Sequence, residues 1–311
     1  MTRDRSATVW RVLAALGIAD ADLLPLGAGL ASEAWRVGHS SPWYALRVAR
    51  ERPDAVSTYE MEHRLLGLLA DGGARVPRPL RGSWQVDGWD GPAFSLTLGL
   101  DGAPLPPADH GRVVPAIASF LRTLHGLVIE GCGAVMVTDG GLRGTAADMD
   151  SGLRQWAIRP LWPLGGARLD VHAALSQHAQ LAERIEAHSE LVREALLRGP
   201  GVPLHSDLHE ENILDDDGVP GFIDFGEALV GPAAWEFASL AYFLGWPMAD
   251  GILAAYLVDG QELEARRHEA SLVALCFGVY RWAQDRDLAE DRDDEDESFL
   301  RETLDRVARQ T

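Results

Sequence analysis

The chain contains no lysine: all 28 of its basic residues are arginine. Any site that would ordinarily use a movable ammonium must use a planar guanidinium or do without. Cysteine is nearly absent too. Cys132 and Cys276 are too few for a disulfide framework or a thiolate zinc site, so a reducing, cytoplasmic setting is expected. No apolar run reads as a signal peptide or a membrane span. The most apolar stretch, 228–249, is interrupted by Pro232 and Glu236 and reads as a buried helical region. Positive charge is scarce against 47 acidic residues, leaving a formal charge of −19. Such a surface repels phosphodiester backbones, so nucleic acid is not an expected partner, and nothing points to an obligate protein partner.

What is present suffices for a large core, since 47% of the 311 residues are hydrophobic. Val9, Val12, Leu13 and Leu16 fall at helical spacing in an N-terminal amphipathic helix. Strand-like pieces follow at 23–28, 34–37 and 43–49, joined by short turns as in an antiparallel meander. Residues 55–71 read as a helix that Gly72-Gly73 ends, and apolar pieces at 80–86 and 93–98 complete a β-rich region. The Gly/Pro-rich tract 99–107 is the predicted hinge. It divides the chain into an N-terminal lobe, 1–100, and a mostly helical lobe, 101–311. In the second lobe, helical spacing marks 114–128 and one long helix over 171–198. The Gly-rich stretch 131–144 reads as a break between helices.

The chemistry is concentrated in LHSDLHEENILDDDGVPGFIDFGEA, residues 204–228. Two short apolar strands, 212–214 and 222–224, flank a tight turn at Asp215-Asp216-Asp217-Gly218. Folding this hairpin brings Asn212 and Asp224 together at its open end. An amide oxygen and a carboxylate there form a hard, oxygen-rich site of the kind Mg²⁺ prefers. Asp207, on the approach to the hairpin, is placed to accept a proton from an alcohol. The pattern is a kinase catalytic loop, His205-x-Asp207 through Asn212, followed by Asp224-Phe225-Gly226.

The whole string resembles the aminoglycoside phosphotransferase family, which shows His-Gly-Asp-Leu-His-x-x-Asn and then Ile-Asp-Phe-Gly. Here Ser206 replaces the usual Gly, and Gly231-Pro232-Ala233-Ala234-Trp235-Glu236 stands where the family has Asp-Pro-x-x-Trp-Asp. The resemblance implies a protein-kinase-like bilobal α+β fold, with a small antiparallel-sheet N-lobe and a larger helical C-lobe. It also implies a small-molecule kinase that uses Mg²⁺ and ATP or GTP. Gly27, Gly29 and Ser32 would cover the phosphates, and Arg47 stands in the place of the phosphate-pairing lysine. Asp207 would be the catalytic base, Asn212 and Asp224 the metal ligands, His205 a structural support, and Glu236 the buttress of the catalytic loop. Periodicity adds a partner for Arg47: Glu62 interrupts the apolar stripe of the 55–71 helix and should face inward to meet it.

Other readings exist. His205, Asp207 and His209 alternate and could ligate zinc in a metallohydrolase. A non-catalytic kinase-shaped nucleotide-binding module is a further possibility, motivated by Arg47. Within the kinase reading the acceptor is expected to be an aminoglycoside or other antibiotic, with a metabolite alcohol as the alternative. Asp148, Asp150 and the tail 285–297 suggest a cationic acceptor, and Trp156 and Trp162 an acceptor wall.

Overall fold

The structure is a computed structural model that describes the chain apart from residues 1, 19–20, 29–31, 51–53, 167, 170–174, 258–261, 288–291 and 311. After helix α1 (Thr2–Ala15), strands β1 (Leu23–Ala28), β2 (Ser32–Val37) and β3 (Tyr44–Ala49) form the predicted meander. Helix α2 (Ala55–Asp71) then leads to β4 (Arg78–Gly82) and β5 (Phe94–Leu98). The five strands make one antiparallel sheet in the order β1-β2-β3-β5-β4. Alternation along β3 decides what each face does. Leu46 and Val48 are buried with Val9, Val12 and Leu13 of α1 and with Phe94 and Leu96. Arg47, between them, is turned to the opposite face, where α2 lies. The Gly72-Gly73 stop acts as expected, with Gly73 at φ 84°, where a side chain would be strained.

The rest of the chain begins with β6 (Ala103–Pro104), α3 (His110–His125), β7 (Cys132–Thr138), β8 (Gly141–Ala146) and α4 (Met149–Trp156). Helices α5 (Ala179–Glu186) and α6 (Ser189–Leu197) follow, then strands β9 (Val202–Leu204), β10 (Ile213–Asp216), β11 (Val219–Phe222) and β12 (Leu229–Gly231). Helices α7 (Ala233–Leu244), α8 (Trp246–Tyr256), α9 (Leu263–Asp287) and α10 (Asp293–Gln310) complete the fold. Two small sheets, β11-β10-β6 and β8-β7-β12-β9, sit among these helices. The result is the expected α+β arrangement of a small antiparallel-sheet lobe and a larger, mainly helical one. Among the described residues no helix is long and apolar enough to cross a membrane.

Two expectations need correction. The stretch 131–144 is not a break between helices but the β7–β8 hairpin. Its strand period is hidden by glycines: Gly131 and Gly133 have φ of 87° and 86°, and a bulge shifts the register between Cys132 and Val135. The helix predicted over 171–198 is two helices, α5 and α6, separated at Ala187-His188; residues 171–174 lie outside the described part. Leu181, Ile185, Val192 and Leu196 are still all buried, because so short an interruption leaves their common stripe on one side. The predicted hinge tract 99–107 makes backbone contacts with the hairpin region. Ala103 and Pro104 pair with Asp215 and Leu214 of β10, and the Leu105 N–H donates to the carbonyls of Glu210 and Ile213 at 3.1 and 2.9 Å.

Candidate active site

The hairpin closes as the turn chemistry requires. Asp217 and Gly218 both have positive φ, 52° and 90°, the conformation that matches the right-handed twist of β10 and β11. The Asp215 carboxylate accepts the Gly218 N–H at 2.9 Å. Ile213 pairs with Phe222, and the Ile223 N–H donates to the Asn212 carbonyl at 3.1 Å, so Asn212 and Asp224 leave the hairpin side by side. Arg75, just after α2, holds the hairpin from the sheet lobe. Its guanidinium donates to the Asp101 carbonyl and to Asp216, each at 2.8 Å, and its carbonyl accepts the Phe222 N–H at 2.9 Å.

The loop carrying Asp207 is fixed by buried polar groups. Glu236, in the first turn of α7, is fully buried; its carboxylate accepts the His205 N–H at 2.6 Å and the Ser206 N–H at 3.3 Å. The longer glutamate therefore reaches both amides. Ser206 has φ 62°, a left-handed conformation that glycine adopts without strain. The serine is held there by two contacts: its hydroxyl donates to the Glu227 carbonyl at 2.8 Å, and its own carbonyl accepts the Ser239 hydroxyl at 3.0 Å. His205 is wholly buried against Phe225, with ring centroids 4.6 Å apart. Its Nε2 lies 2.9 Å from the Ile223 carbonyl and its Nδ1 accepts the Asp207 N–H at 3.4 Å. One imidazole thus couples the backbone before Asp224 to that of Asp207. With both ring nitrogens engaged, His205 is not available to zinc. Among the described residues no group of three or more His, Cys, Asp or Glu is arranged to hold a metal, so the metallohydrolase reading lapses.

A Mg²⁺ site of different composition fits. Asn212 is buried and directs its Nδ2 to the Asp207 carbonyl at 2.8 Å and toward His209 Nε2 at 3.0 Å. Its Oδ1 is thereby the atom left for a ligand. Asp224 is half exposed and has φ 63°, a conformation that costs a non-glycine residue roughly 1–2 kcal/mol. One amide oxygen and one carboxylate suit magnesium, which keeps several positions for water and phosphate.

Across from the hairpin stands Arg47. Its Nη1 is 2.9 Å from both oxygens of Glu62, and its Nη2 is 3.3 Å from Asp224 Oδ1. The guanidinium also lies over the Tyr59 ring at 5.3 Å. Burial works against the Arg47 charge, but Glu62 and Asp224 outweigh it and hold the pKa above its ordinary value. Burial pushes the Glu62 carboxyl up, with the Arg47 charge opposing. Gly27, near the end of β1, pairs with Ala34 of β2, and Ser32, at the start of β2, pairs with Ala49 of β3. Gly29 lies outside the described residues.

Among the described residues, several of the acids expected to receive a cationic acceptor have partners within the chain. Asp148 caps α4 by accepting the Ser151 N–H at 2.9 Å, and Asp150 pairs with Arg154. In the tail, Asp293 meets Arg286 at 2.8 Å, Glu295 meets Arg292 at 3.0 Å, and Glu297 meets His178 at 3.3 Å and Arg301. Trp162 is a core residue, its indole N–H donating to Glu186 at 3.0 Å; Trp156 packs edge-on against Trp235. A cavity of about 660 Å³ lined by Leu169, Leu175, Ala182 and Glu186 shares no residue with the hairpin site.

One tail cluster has its own consequence. Asp285 and Asp296 are buried on either side of the Tyr242 hydroxyl, at 3.0 and 2.6 Å. A phenol has one proton, so a second proton must serve the other contact. Arg281 and Arg292 lie 3.4 and 4.0 Å from Asp285. Burial raises the Asp296 pKa to about 6, well above its ordinary 3.8. The folded state therefore favours protonated Asp296. Stability from this group is highest below pH 4, falls as pH rises toward 6, and stays low above it. Asp296→Asn is expected to raise stability at pH 8 by about 1–3 kcal/mol and to leave it nearly unchanged at pH 4. Chemical denaturation at both pH values measures this; equal effects would assign the shift to packing.

A small antiparallel sheet and a helical lobe, meeting at a hairpin that presents an aspartate, an asparagine and a second aspartate, define a kinase-like protein. The chain belongs to the phosphotransferase enzyme family, whose model matches residues 22–272, and it is a small-molecule kinase. Among solved structures it is similar to a thermostable aminoglycoside phosphotransferase APH(4)-Ia in ternary complex with AMP-PNP and hygromycin B. That match has 15% identity, 98% of each chain covered and a TM-score of 0.66. It is also similar to the GDP complex of an aminoglycoside 2'-phosphotransferase-IIIa variant, with 16% identity, 98% of this chain and 97% of the other covered, and a TM-score of 0.61. A third is the choline kinase LicA from Streptococcus pneumoniae, with 14% identity, 98% and 99% covered, and a TM-score of 0.59. No match was found among curated protein sequences.

Sequence reasoning missed Arg281, whose Nη1 stands 4.0 Å from Asp207 Oδ1. A signal existed. Arg281 follows the apolar stretch 270–280 in α9, and a charge at the end of a buried helical face needs a partner.

Proposed function

We propose that this kinase transfers the terminal phosphoryl group of ATP or GTP to a hydroxyl of a small molecule, in the cytoplasm, where these nucleotides are supplied. The lobe 1–100 would bind the nucleotide, with Gly27, Gly29 and Ser32 over the phosphates and Arg47 against them. The lobe 101–311 would carry the catalytic loop and the acceptor. The observation that carries the reading is the convergence of Asp207, Asn212 and Asp224 at one end of the β10–β11 hairpin, facing the Arg47–Glu62 pair.

Asp207 orients the acceptor hydroxyl and takes its proton as the new O–P bond forms and the bond to the nucleoside diphosphate breaks. Asn212 Oδ1 and the Asp224 carboxylate would hold Mg²⁺, which when bound neutralises phosphate charge. Glu62 fixes Arg47 from behind and so pre-orders it for phosphate oxygens. His205 and Glu236 keep the loop in register and need no direct contact with substrate. All three groups of the reacting triad are present, which favours turnover over a purely binding role.

Likeness to the hygromycin-bound structure supports an antibiotic acceptor by fold alone. The tail carboxylates paired within the chain weigh against a polycation and favour a metabolite alcohol. The test is nucleotide consumption with Mg²⁺ against aminoglycosides, macrolides and small alcohols. Asp224→Ala is expected to lower turnover by about 10²-fold or more and to raise the Mg²⁺ concentration needed for half-maximal rate. An unchanged metal requirement would remove Asp224 from the metal site.

A further inference from the structure

Resting on the phosphotransferase reading, we infer that the acceptor carries an anionic group beside its reacting hydroxyl, and that Arg281 is the specificity-determining residue that receives it. A hydroxyl that gives its proton to Asp207 must lie within hydrogen-bonding distance of that carboxylate. The two oxygens of Asp207 are flanked by nitrogen: Arg281 Nη1 is 4.0 Å from Oδ1 and His209 Nε2 is 3.8 Å from Oδ2. The substituents of a bound acceptor therefore meet these groups first.

Arg281 is fixed before any acceptor arrives. Its Nη2 reaches Asp285 Oδ1 at 3.4 Å, and its Nη1 donates to Gln284 Oε1 at 3.3 Å. The guanidinium lies over the rings of Phe243 and Tyr242 at 5.1 and 5.8 Å. Asp285 is itself buried and shared with Tyr242 and Arg292, so it does not face the acceptor. The Arg281 side chain, by contrast, is 19% exposed. A guanidinium has five N–H groups in a planar fork, and these contacts leave donors for a carboxylate or phosphate. Of the acids expected to hold an ammonium, Asp150, Asp293, Glu295 and Glu297 pair with cations of the chain and Asp148 caps a helix. An ammonium next to the hydroxyl on the Oδ1 side of Asp207 would meet the Arg281 guanidinium, a like charge.

The test uses three matched pyranoses with ATP and Mg²⁺: glucuronate, glucose and glucosamine. The wild-type kcat/KM for glucuronate is expected to exceed that for glucosamine by about tenfold or more. Arg281→Gln should narrow that ratio by about tenfold, and Arg281→Lys, which keeps the charge, should preserve its direction. A wild-type preference for glucosamine overturns the inference. So does an Arg281→Gln variant that lowers all three values by one common factor, as a purely structural role would. Rejection of all three sugars, with nucleotide hydrolysis still dependent on Asp207, overturns it too and leaves the kinase reading standing. Hydrolysis that Asp207→Asn does not reduce, measured in the sugar-free control, removes the kinase reading and this inference with it.

Discussion

Turnover of an Asp207→Asn variant is expected to fall by about 10²–10⁴-fold, while nucleotide affinity changes little. Asparagine keeps the shape of the side chain and its backbone place, where the N–H donates to His205 Nδ1 at 3.4 Å and the carbonyl accepts from Asn212 at 2.8 Å. What it loses is the ability to take the hydroxyl proton. The proposed nucleotide contacts lie elsewhere, at Gly27, Ser32 and Arg47, so binding of an ATP analogue should persist. Steady-state rates and calorimetric binding on the same preparation check both halves. Wild-type turnover in this variant would remove Asp207 from the chemistry. Reduced turnover accompanied by lost nucleotide binding would place Asp207 at the nucleotide rather than at the acceptor.

The second large effect is expected at Glu236. Its carboxylate accepts two backbone N–H groups in a site with no solvent access. Glu236→Ala leaves both donors unpaired, each at a cost of about 1–3 kcal/mol, so a total loss of about 2–6 kcal/mol is expected. The loop those amides belong to carries Asp207, and a shift of roughly 1 Å there can cost about 10²-fold in rate. Stability and kcat should therefore fall together, measured by denaturant unfolding and by initial rates. Glu236→Asp tests the geometry separately. The shorter acid can reach one amide and is expected to lose less of both. If Glu236→Ala kept wild-type stability, the buried carboxylate would have no part in holding the loop.

Some of this site was legible before any coordinates. The Arg47–Glu62 pair is one case. A charge inside an apolar strand and another inside the apolar stripe of the next helix each needed a partner, and they meet at 2.9 Å. The hairpin is another, because an Asp-Gly pair between apolar runs has few ways to fold. Its strands extend further than expected, to Asp216 and from Val219, so the turn is just Asp217-Gly218. Ser206 shows the limit of pattern matching. Its departure from glycine was visible, but not the hydroxyl contact to the Glu227 carbonyl that holds it at positive φ.

The pairing within the acidic tail was hidden for a similar reason. A run of carboxylates looks like a free charged surface when their arginine partners are scattered along the chain. Arg286 and Arg292 are close in sequence to the acids they meet, yet their rotation about α9 and α10 decides which ones. Trp162 looked like a candidate wall and proved to be core, because its aromatic surface meets helices that local spacing does not reveal.

The sequence alone determined the order and type of the elements around the hairpin and the identity of the proposed oxygen ligands. Those depend on local backbone preference and on chemistry that neighbouring residues carry with them. Only the tertiary structure decided which charges remain for a substrate. It set Arg281 beside Asp207 from 74 positions along the chain and buried Asp285 and Asp296 against arginine and tyrosine. Charge pairing acts through space, over a few ångströms, and helical periodicity carries no information about which distant side chain fills that space.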